Sequence, residues 1–217
     1  MWRFTFLLAG LIGTAFPATA DERFEGCNAE QTKIIDEALG TAKDLTLKAA
    51  VAVGDTPSYQ RWFGEYSEAN AEQVRANLKS VVTALRGGGV TAQCDLAADD
   101  GCGGGTYAWV YAHEPYLMHL CPPFFTLPPL TALRPGERRS DNGTLEGTLV
   151  HEISHFRPVA QTEDHCYSRT DCSRMAQGDA RRAIENADSY QYFTEDVTYF
   201  ARQPLANKPP PAPRANR

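Results

Sequence analysis

The stretch GTLVHEISHF, residues 147–156, constrains the fold of this chain more than any other. It contains His-Glu-x-x-His, in which His151 and His155 are four residues apart. On an α-helix this spacing puts both imidazoles on one face, one turn apart, where a single Zn²⁺ can bind both. The apolar residues before the motif indicate that the helix is buried. The sequence therefore predicts a buried helix, beginning near Thr144, that carries two ligands of a zinc site.

Glu152 follows the first motif histidine directly. From there its carboxylate can reach a water molecule at the metal without itself binding the metal. Zinc lowers the pKa of such a water to about 7, and a carboxylate can take the proton as the water attacks a carbonyl. Catalytic zinc sites have three protein ligands and one open position, so a third ligand has to come from elsewhere in the chain.

The residues alone leave the third ligand open. One known layout places a glycine three residues, and a third histidine six residues, after the second motif histidine; here those positions hold Pro158 and Gln161. Asp164 is a candidate because the short loop turned at Pro158 can fold it back over the two histidines. The remaining candidates are Glu185 on a later helix and the histidines His113, His119 and His165. A lone histidine in a strand is more often structural than a ligand.

Four stretches of the chain carry a resemblance to a known family. HEISHF is followed by QTEDHCY, with the Asp nine residues after the second histidine and the Tyr three residues after the Asp. This resembles the aspzincin metallopeptidases, the deuterolysins and peptidyl-Lys metalloendopeptidases, in which His-Glu-x-x-His precedes Gly-Thr-x-Asp-x-x-Tyr. Similarity continues in YQRWFGEY, GTYAWVY and NADSYQYF, so it extends from about Phe24 to Phe200. Gln161 stands where the family has Gly; if that Gly uses a positive φ, Gln changes the loop.

The resemblance implies the catalytic roles. One Zn²⁺ per chain is bound by His151, His155 and Asp164, and Glu152 is the general base. Tyr167 supplies the phenol that hydrogen-bonds the oxyanion of the tetrahedral intermediate, which requires a donor aimed at developing charge.

The resemblance also implies a substrate pocket. Asp188 matches the family position that lines the pocket for the residue after the cut bond, where a buried carboxylate favours Lys or Arg. Peptidyl-Lys members have a second acid three residues later, and this chain has Gln191 there. We therefore expect a preference for Lys or another basic residue that is less strict than in those members.

The first 20 residues have the pattern of a secretory signal peptide, and six cysteines in an exported chain indicate three disulfides. The resemblance implies the pairs Cys27–Cys94 and Cys102–Cys121. This leaves Cys166–Cys172, a pair that the family pattern does not supply and that would brace the segment carrying Tyr167. The rival role for Cys166 is that of a zinc ligand.

The sequence predicts three regions along the chain. Residues 1–20 have a basic start, an apolar run and a small-residue cleavage site, as in a secretory signal peptide. Residues 21–202 form the metallopeptidase domain, and residues 203–217 form a Pro-rich disordered tail. We expect a protein that is secreted or periplasmic and monomeric. The net charge of −6 without a basic patch argues against nucleic acid and anionic membranes as partners.

Apolar periodicity predicts the fold. Residues 28–53 and a segment from Ser67 to Gly87 read as amphipathic helices. The aromatic-rich connection between them contributes Trp62 and Phe63 to the core. Residues 106–121 read as a two-stranded hairpin, and helical character resumes after Pro158, from about residue 171 to residue 201. The fold class is α+β, mainly α: a zincin-like domain with a small antiparallel hairpin or sheet and a His-Glu-x-x-His helix.

The sequence thus favours a secreted zinc metalloendopeptidase. Two different functions remain compatible with it. One is a zinc amidase or toxin that acts on a cell-wall or host substrate, and the other is an inactive binding domain of the same fold. The presence of both Glu152 and Tyr167 argues against the inactive domain, which would need neither.

Overall fold

A computed structural model describes residues 23–133 and 143–200 of the chain. In these ranges the fold is mainly helical with one small sheet. The helices are α1 (Ala29–Ala52), α2 (Pro57–Phe63), α3 (Glu68–Arg86), α4 (Leu145–His155), α5 (Arg169–Gly178), α6 (Ala180–Ile184) and α7 (Ala187–Glu195). The strands are β1 (Phe24–Glu25), β2 (Thr91–Cys94), β3 (Ala108–Trp109) and β4 (Leu117–Leu120).

The two long N-terminal helices form where the periodicity predicted them. The side chain of Asn28 accepts hydrogen bonds from two backbone N–H groups of α1, and Gln31 completes the capping box. Ser67 caps α3 in the same way, and that helix ends at the predicted Gly87. The apolar faces of α1 and α3 pack against each other and against α4, so they form the support for the motif helix.

The aromatic-rich connection between these helices contains a helix that the sequence pattern did not reveal. Helix α2 begins after Thr56, whose hydroxyl accepts from the backbone N–H of Tyr59, and Pro57 occupies its first turn. Only seven residues long, it is too short to show a helical period in a run dominated by aromatics. Trp62 and Phe63 are fully buried, as predicted.

The sheet contains the predicted antiparallel pair and two further strands. Strand β3 pairs antiparallel with β4, with Trp109 opposite His119. Strand β2 pairs parallel with β4 on the other side, and β1 pairs parallel with β2. The sheet is therefore mixed. Strands β1 and β2 were not predicted because they pair in parallel with strands that are distant in the sequence, so no hairpin signal marks them.

Helix α4 lies in the middle of the domain. Every residue from Leu145 to Ser154 is buried, so this helix has no solvent face. Thr144 caps its first turn by accepting from the N–H of Gly147. A Cβ added at Gly147 would collide with the Glu195 carboxylate, so glycine lets α4 and α7 approach closely. The domain core thus holds the His-Glu-x-x-His backbone rigidly.

The C-terminal part is helical in pieces, as expected. Helices α5, α6 and α7 follow one another with short breaks, and a π-helical turn, Asp196–Phe200, extends α7. No helix in the described ranges is long and apolar enough to span a bilayer. The predicted signal peptide (residues 1–20) and Pro-rich tail (residues 203–217) lie outside the described residues.

Candidate metal centre

Three side chains converge above α4. His151, His155 and Asp164 each offer one ligand atom, and these atoms lie within 4.8 Å of one another. One carboxylate oxygen of Asp164 lies 3.2 Å from Nε2 of His151 and 3.5 Å from Nε2 of His155. Within the part of the chain that the structure describes, this is the one group of three acidic, histidine or cysteine side chains close enough to share a metal ion.

The second nitrogen of each histidine is already engaged. Nδ1 of His155 lies 2.8 Å from the carbonyl oxygen of Thr162, and Nδ1 of His151 lies 2.8 Å from Oδ1 of Asp188. A carbonyl oxygen can only accept, so Nδ1 of His155 carries the proton and Nε2 keeps its lone pair. Metal-binding histidines in proteins typically donate their other N–H to a carboxylate or a carbonyl in this manner. The donor set therefore fits a divalent metal such as Zn²⁺.

A tight return of the chain brings Asp164 over the histidines. Helix α4 ends at His155, and the backbone N–H of Thr162 then donates to the carbonyl of Ser154. The hydroxyls of Ser154 and Thr162 are 2.6 Å apart, which ties the returning loop to the helix. Beyond it, Glu163 forms a parallel bridge with Asn186 at the start of α7. The loop is thus fixed on both sides of the ligand.

Gln161 lies at the turn of this loop and has a φ of 51°. This is the left-handed region, which costs a residue with a Cβ about 1–2 kcal/mol and costs glycine nothing comparable. An exposed glutamine thus adopts a positive-φ turn at the position where the family has glycine. Gln161 therefore adds local backbone strain to the loop that leads to Asp164.

Glu152 is buried beside the three ligands and lines the same cleft. Burial raises the pKa of its carboxyl to about 7, with His151 opposing and Asp164 adding to the shift. A carboxyl of this pKa can both accept and release a proton near neutrality.

Tyr167 projects from the other side of the loop, with 62% of its surface exposed. Burial of the hydroxyl, followed by the charge of the nearby Asp164 carboxylate, raises the pKa of its phenol to about 12. The phenol is therefore a proton-bearing donor at the mouth of the cleft.

The ligands perturb one another's proton affinities. Burial opposes ionisation of Asp164, but the hydrogen bond with His151 and the electrostatic attraction of His151 and His155 together outweigh it and lower the pKa of this carboxyl to about 2. Burial alone would lower the pKa of His151, yet the carboxylates of Asp164 and Asp188 raise it well above its usual value. Burial and the neighbouring His151 lower the pKa of His155. The centre thus concentrates negative charge around the two imidazoles, as a cation site requires.

Glu185 and the histidines outside the motif helix lie elsewhere. Glu185 pairs with Arg181 and lies 3.9 Å from His165. His119 lies 3.1 Å from Asp95 and stacks on Trp109. Neither Glu185 nor His119 belongs to the convergent group.

His113 and Cys166 do not supply a ligand either. His113 is largely exposed beside Glu114. Cys166 is bonded to Cys172, so its sulfur is not a thiolate ligand. The structure also contains the disulfides Cys27–Cys94 and Cys102–Cys121.

Asp188 has a role that the sequence did not reveal. The resemblance assigns it only to the substrate pocket, and it does line the cleft together with Gln191. Its Oδ1, however, is committed to His151, 37 residues away in the chain. No local pattern signals such a contact. Gln191 is also buried, and its amide lies 3.4 Å from the Glu195 carboxylate.

The opposite wall of the cleft is formed by the edge strand β3 and by a glycine-rich loop. Trp109 and Ala108 line it from the strand, and Gly101, Gly104 and Gly105 line it from the loop. These three glycines have positive φ values, and a Cβ at Gly101 would collide with the Trp109 ring. The cleft therefore passes between the exposed edge of a sheet and the ligand-bearing helix, with room for an extended chain.

Comparison with known proteins points to one family. The model of a family described as lysine-specific metallo-endopeptidase, the aspzincins, matches residues 48–195. An extracellular protease of Aeromonas hydrophila is 31% identical over 163 residues, which are 75% of this chain and 42% of that protein. A peptidyl-Lys metalloendopeptidase of Pleurotus ostreatus is 27% identical over 177 residues, 80% of this chain and 96% of that protein.

A solved structure supports the fold. The zinc peptidase from Grifola frondosa superposes with a TM-score of 0.64 at 24% identity, covering 78% of this chain and 97% of that one. The predicted α+β, mainly helical zincin-like class is thereby confirmed. This chain spans less than half of the Aeromonas relative and nearly all of the Pleurotus one. With the family model covering residues 48–195, the chain belongs to the aspzincin family of metallopeptidases.

Proposed function

We propose that this protein is an exported zinc endopeptidase that hydrolyses peptide bonds with Glu152 as general base. The observation that carries the proposal is the convergence of His151, His155 and Asp164, with both histidine Nδ1 atoms already engaged. The membership in a family of metalloendopeptidases and the extracellular protease among its relatives support it.

His151, His155 and Asp164 would hold one Zn²⁺. Two neutral imidazoles and one carboxylate are a typical ligand set for catalytic zinc, and they leave a position open. When bound, zinc supplies Lewis-acid polarisation and lowers the pKa of water. The role of Asp188 in this arrangement is to hold the ring of His151 and to favour its Nδ1–H tautomer.

Glu152 would move the proton. It lines the cleft next to the ligands without belonging to the convergent group. Its carboxylate takes a proton from the attacking water and passes it to the leaving amine. Burial raises the pKa of this carboxyl, which makes its protonated form accessible, so that it can release the proton as well as accept it.

Tyr167 would stabilise the oxyanion. Tyr167 lines the cleft together with Asp164, and its largely exposed ring would be able to turn the phenol toward a carbonyl there. A single well-placed donor of this kind is worth about 2.7–4 kcal/mol in a transition state.

Asp188 and Gln191 would shape the pocket for the residue after the cut. Both are buried and line the cleft, and Gln191 is uncharged. One carboxylate oxygen of Asp188 faces His151 and the other lies 3.9 Å from the sulfur of Cys172, so the pocket would attract a cation through the negative charge of this buried carboxylate. We therefore propose a preference for Lys or another basic residue on the C-terminal side of the cut, weaker than two acids would give.

The disulfides and the relatives of the chain bear on the compartment in which the protein acts. Three disulfides fit an oxidising compartment, and the relatives include an extracellular protease. We propose export through a signal peptide at residues 1–20 and action as a monomer on peptide substrates.

The decisive experiment combines metal analysis with a peptide library. The mature protein is expected to contain one zinc per chain and to cleave a mixed library, as read by mass spectrometry. Glu152→Gln serves as the matched variant, because it keeps the shape of the side chain and removes the base. Zinc without cleavage in the wild type would refute the peptidase, and cleavage that survives in the variant would refute the mechanism.

A further inference from the structure

The disulfide Cys166–Cys172 lies at the metal centre. Cys166 is two residues after Asp164 and directly before Tyr167, so one end of the bond is part of the ligand loop. Cys172 is fully buried on α5. The motifs by which the chain resembles its family do not include this pair. The effect of the bond therefore has to be inferred from this chain's own contacts.

The sulfur of Cys172 touches the group that orients a metal ligand. It lies 3.9 Å from Oδ2 of Asp188, whose Oδ1 accepts from Nδ1 of His151. The same sulfur accepts a hydrogen bond from Nδ2 of Asn186 at 3.7 Å. One end of the disulfide thus packs against the carboxylate of Asp188, while the other end belongs to the Asp164 loop.

Asn186 fastens the same loop from the other side. Its Oδ1 accepts from the backbone N–H groups of His165 and Cys166, at 2.9 and 3.1 Å. Its Nδ2 donates to Cys172 and to Ser189. Asn186 is completely buried, so these bonds are not in competition with water. The disulfide and Asn186 together join the ligand loop, α5 and the start of α7.

The bond closes a short loop, which limits its effect on the unfolded chain. Its cysteines are 6 residues apart in sequence, whereas Cys27 and Cys94 are 67 apart. The entropy that a crosslink removes from the unfolded state grows with loop length. Cys27–Cys94, which does not line the cleft, is therefore expected to contribute more to global stability, and Cys166–Cys172 to act on the local geometry around Asp164.

We propose that the Cys166–Cys172 disulfide, together with Asn186, is a positioning clamp that sets Asp164 and Asp188 on either side of His151. It follows that reduction of this disulfide weakens metal binding while the domain stays folded. A reductant such as a water-soluble trialkylphosphine would cleave it: the phosphorus takes up the oxygen of one water as phosphine oxide, and two thiols form. The inference rests on the proposed function, because it presupposes that the centre binds zinc.

The first test compares two disulfide deletions. Cys166→Ala/Cys172→Ala is expected to bind zinc at least about tenfold more weakly than the wild type, as for loss of other groups that support a ligand. Cys27→Ala/Cys94→Ala, the matched control, should keep zinc affinity within about twofold although it loses more thermal stability. Affinity is measured by competition with a chromogenic chelator, and folding by circular dichroism. Equal zinc affinity in both variants would overturn the inference.

The second test uses the wild type and needs no folded variant. The protein is titrated with the phosphine, its free thiols are alkylated, and the labelled cysteines are located by mass spectrometry. Zinc affinity is expected to fall in step with labelling of Cys166 and Cys172. Affinity that stays constant while these two become labelled would overturn the clamp and leave the proposed function intact. An oxidised wild type that binds no zinc would overturn both.

Discussion

Replacing Asp188 by asparagine separates the two roles that we propose for one carboxylate. Asp188 accepts a hydrogen bond from Nδ1 of His151 at 2.8 Å, and it also lines the cleft in which we propose that it meets a basic residue of the substrate. Asparagine keeps the size and one acceptor oxygen but removes the charge. If orienting His151 is the main role, Asp188→Asn weakens zinc binding and slows cleavage of every peptide.

The expected loss in zinc affinity follows from the strength of the hydrogen bond between Asp188 and His151. Both partners are buried, and hydrogen bonds to charged groups contribute about 1.5–3 kcal/mol. Since 1.4 kcal/mol is a factor of ten, the expected loss in zinc affinity is about 10- to 100-fold. This agrees with the usual cost of removing a group that supports a histidine ligand.

The assay measures zinc affinity by chelator competition, and kcat/KM on matched peptides with Lys or Ala after the cut. Gln191→Ala is the control, because Gln191 lines the pocket but does not contact either histidine through a hydrogen bond. The control is expected to change the preference between the peptides and to leave zinc affinity unaltered. Asp188→Asn with normal zinc affinity, and a loss confined to the Lys peptide, would show that Asp188 binds substrate and does not orient the ligand.

Three further substitutions test the base, the loop and a buried acid. Glu152→Gln should lower kcat about 10²- to 10⁴-fold with zinc affinity retained, so that lost zinc would contradict its role as a base. Gln161→Gly should raise the free energy of unfolding by about 1 kcal/mol in urea, since φ is 51° there, whereas Gln161→Ala, which keeps the Cβ, should not. Burial raises the pKa of Glu146 above 4.5, although the N–H of Leu130 opposes the shift. Its stabilising contribution is therefore full below pH 4.5 and is lost as the pH rises through the folded pKa. When the metal-free protein is unfolded in urea, the free energy of unfolding of Glu146→Gln should rise relative to that of the wild type between pH 4.5 and 8. A difference between the two that stays constant over this range would refute the prediction.

From the sequence, only those parts of the site that depend on local geometry could be predicted. His151 and His155 could be placed on one helical face because a four-residue spacing needs only the helix period. Asp164 could not be chosen over Glu185 by spacing, because its position depends on a turn at Gln161 and on a bridge to Asn186. The resemblance to a family supplied that choice. The strands β1 and β2 were missed for a related reason, since each pairs with a strand that is distant in the sequence.

The least predictable contact, Asp188 to His151, follows from the same bridge that places Asp164. Where Glu163 pairs with Asn186, the ligand loop and the start of α7 run side by side. The residue after Glu163 then points at the Nε2 face of His151, and the carboxylate two residues after Asn186 reaches Nδ1 of the same ring. One parallel bridge therefore sets a ligand and the orienting group together. A change that shifts the bridge between Glu163 and Asn186 should therefore disturb the contacts on both sides of the His151 ring at once. For this reason we expect the buried Asn186 and the adjacent disulfide to affect the metal centre although neither offers it a ligand atom.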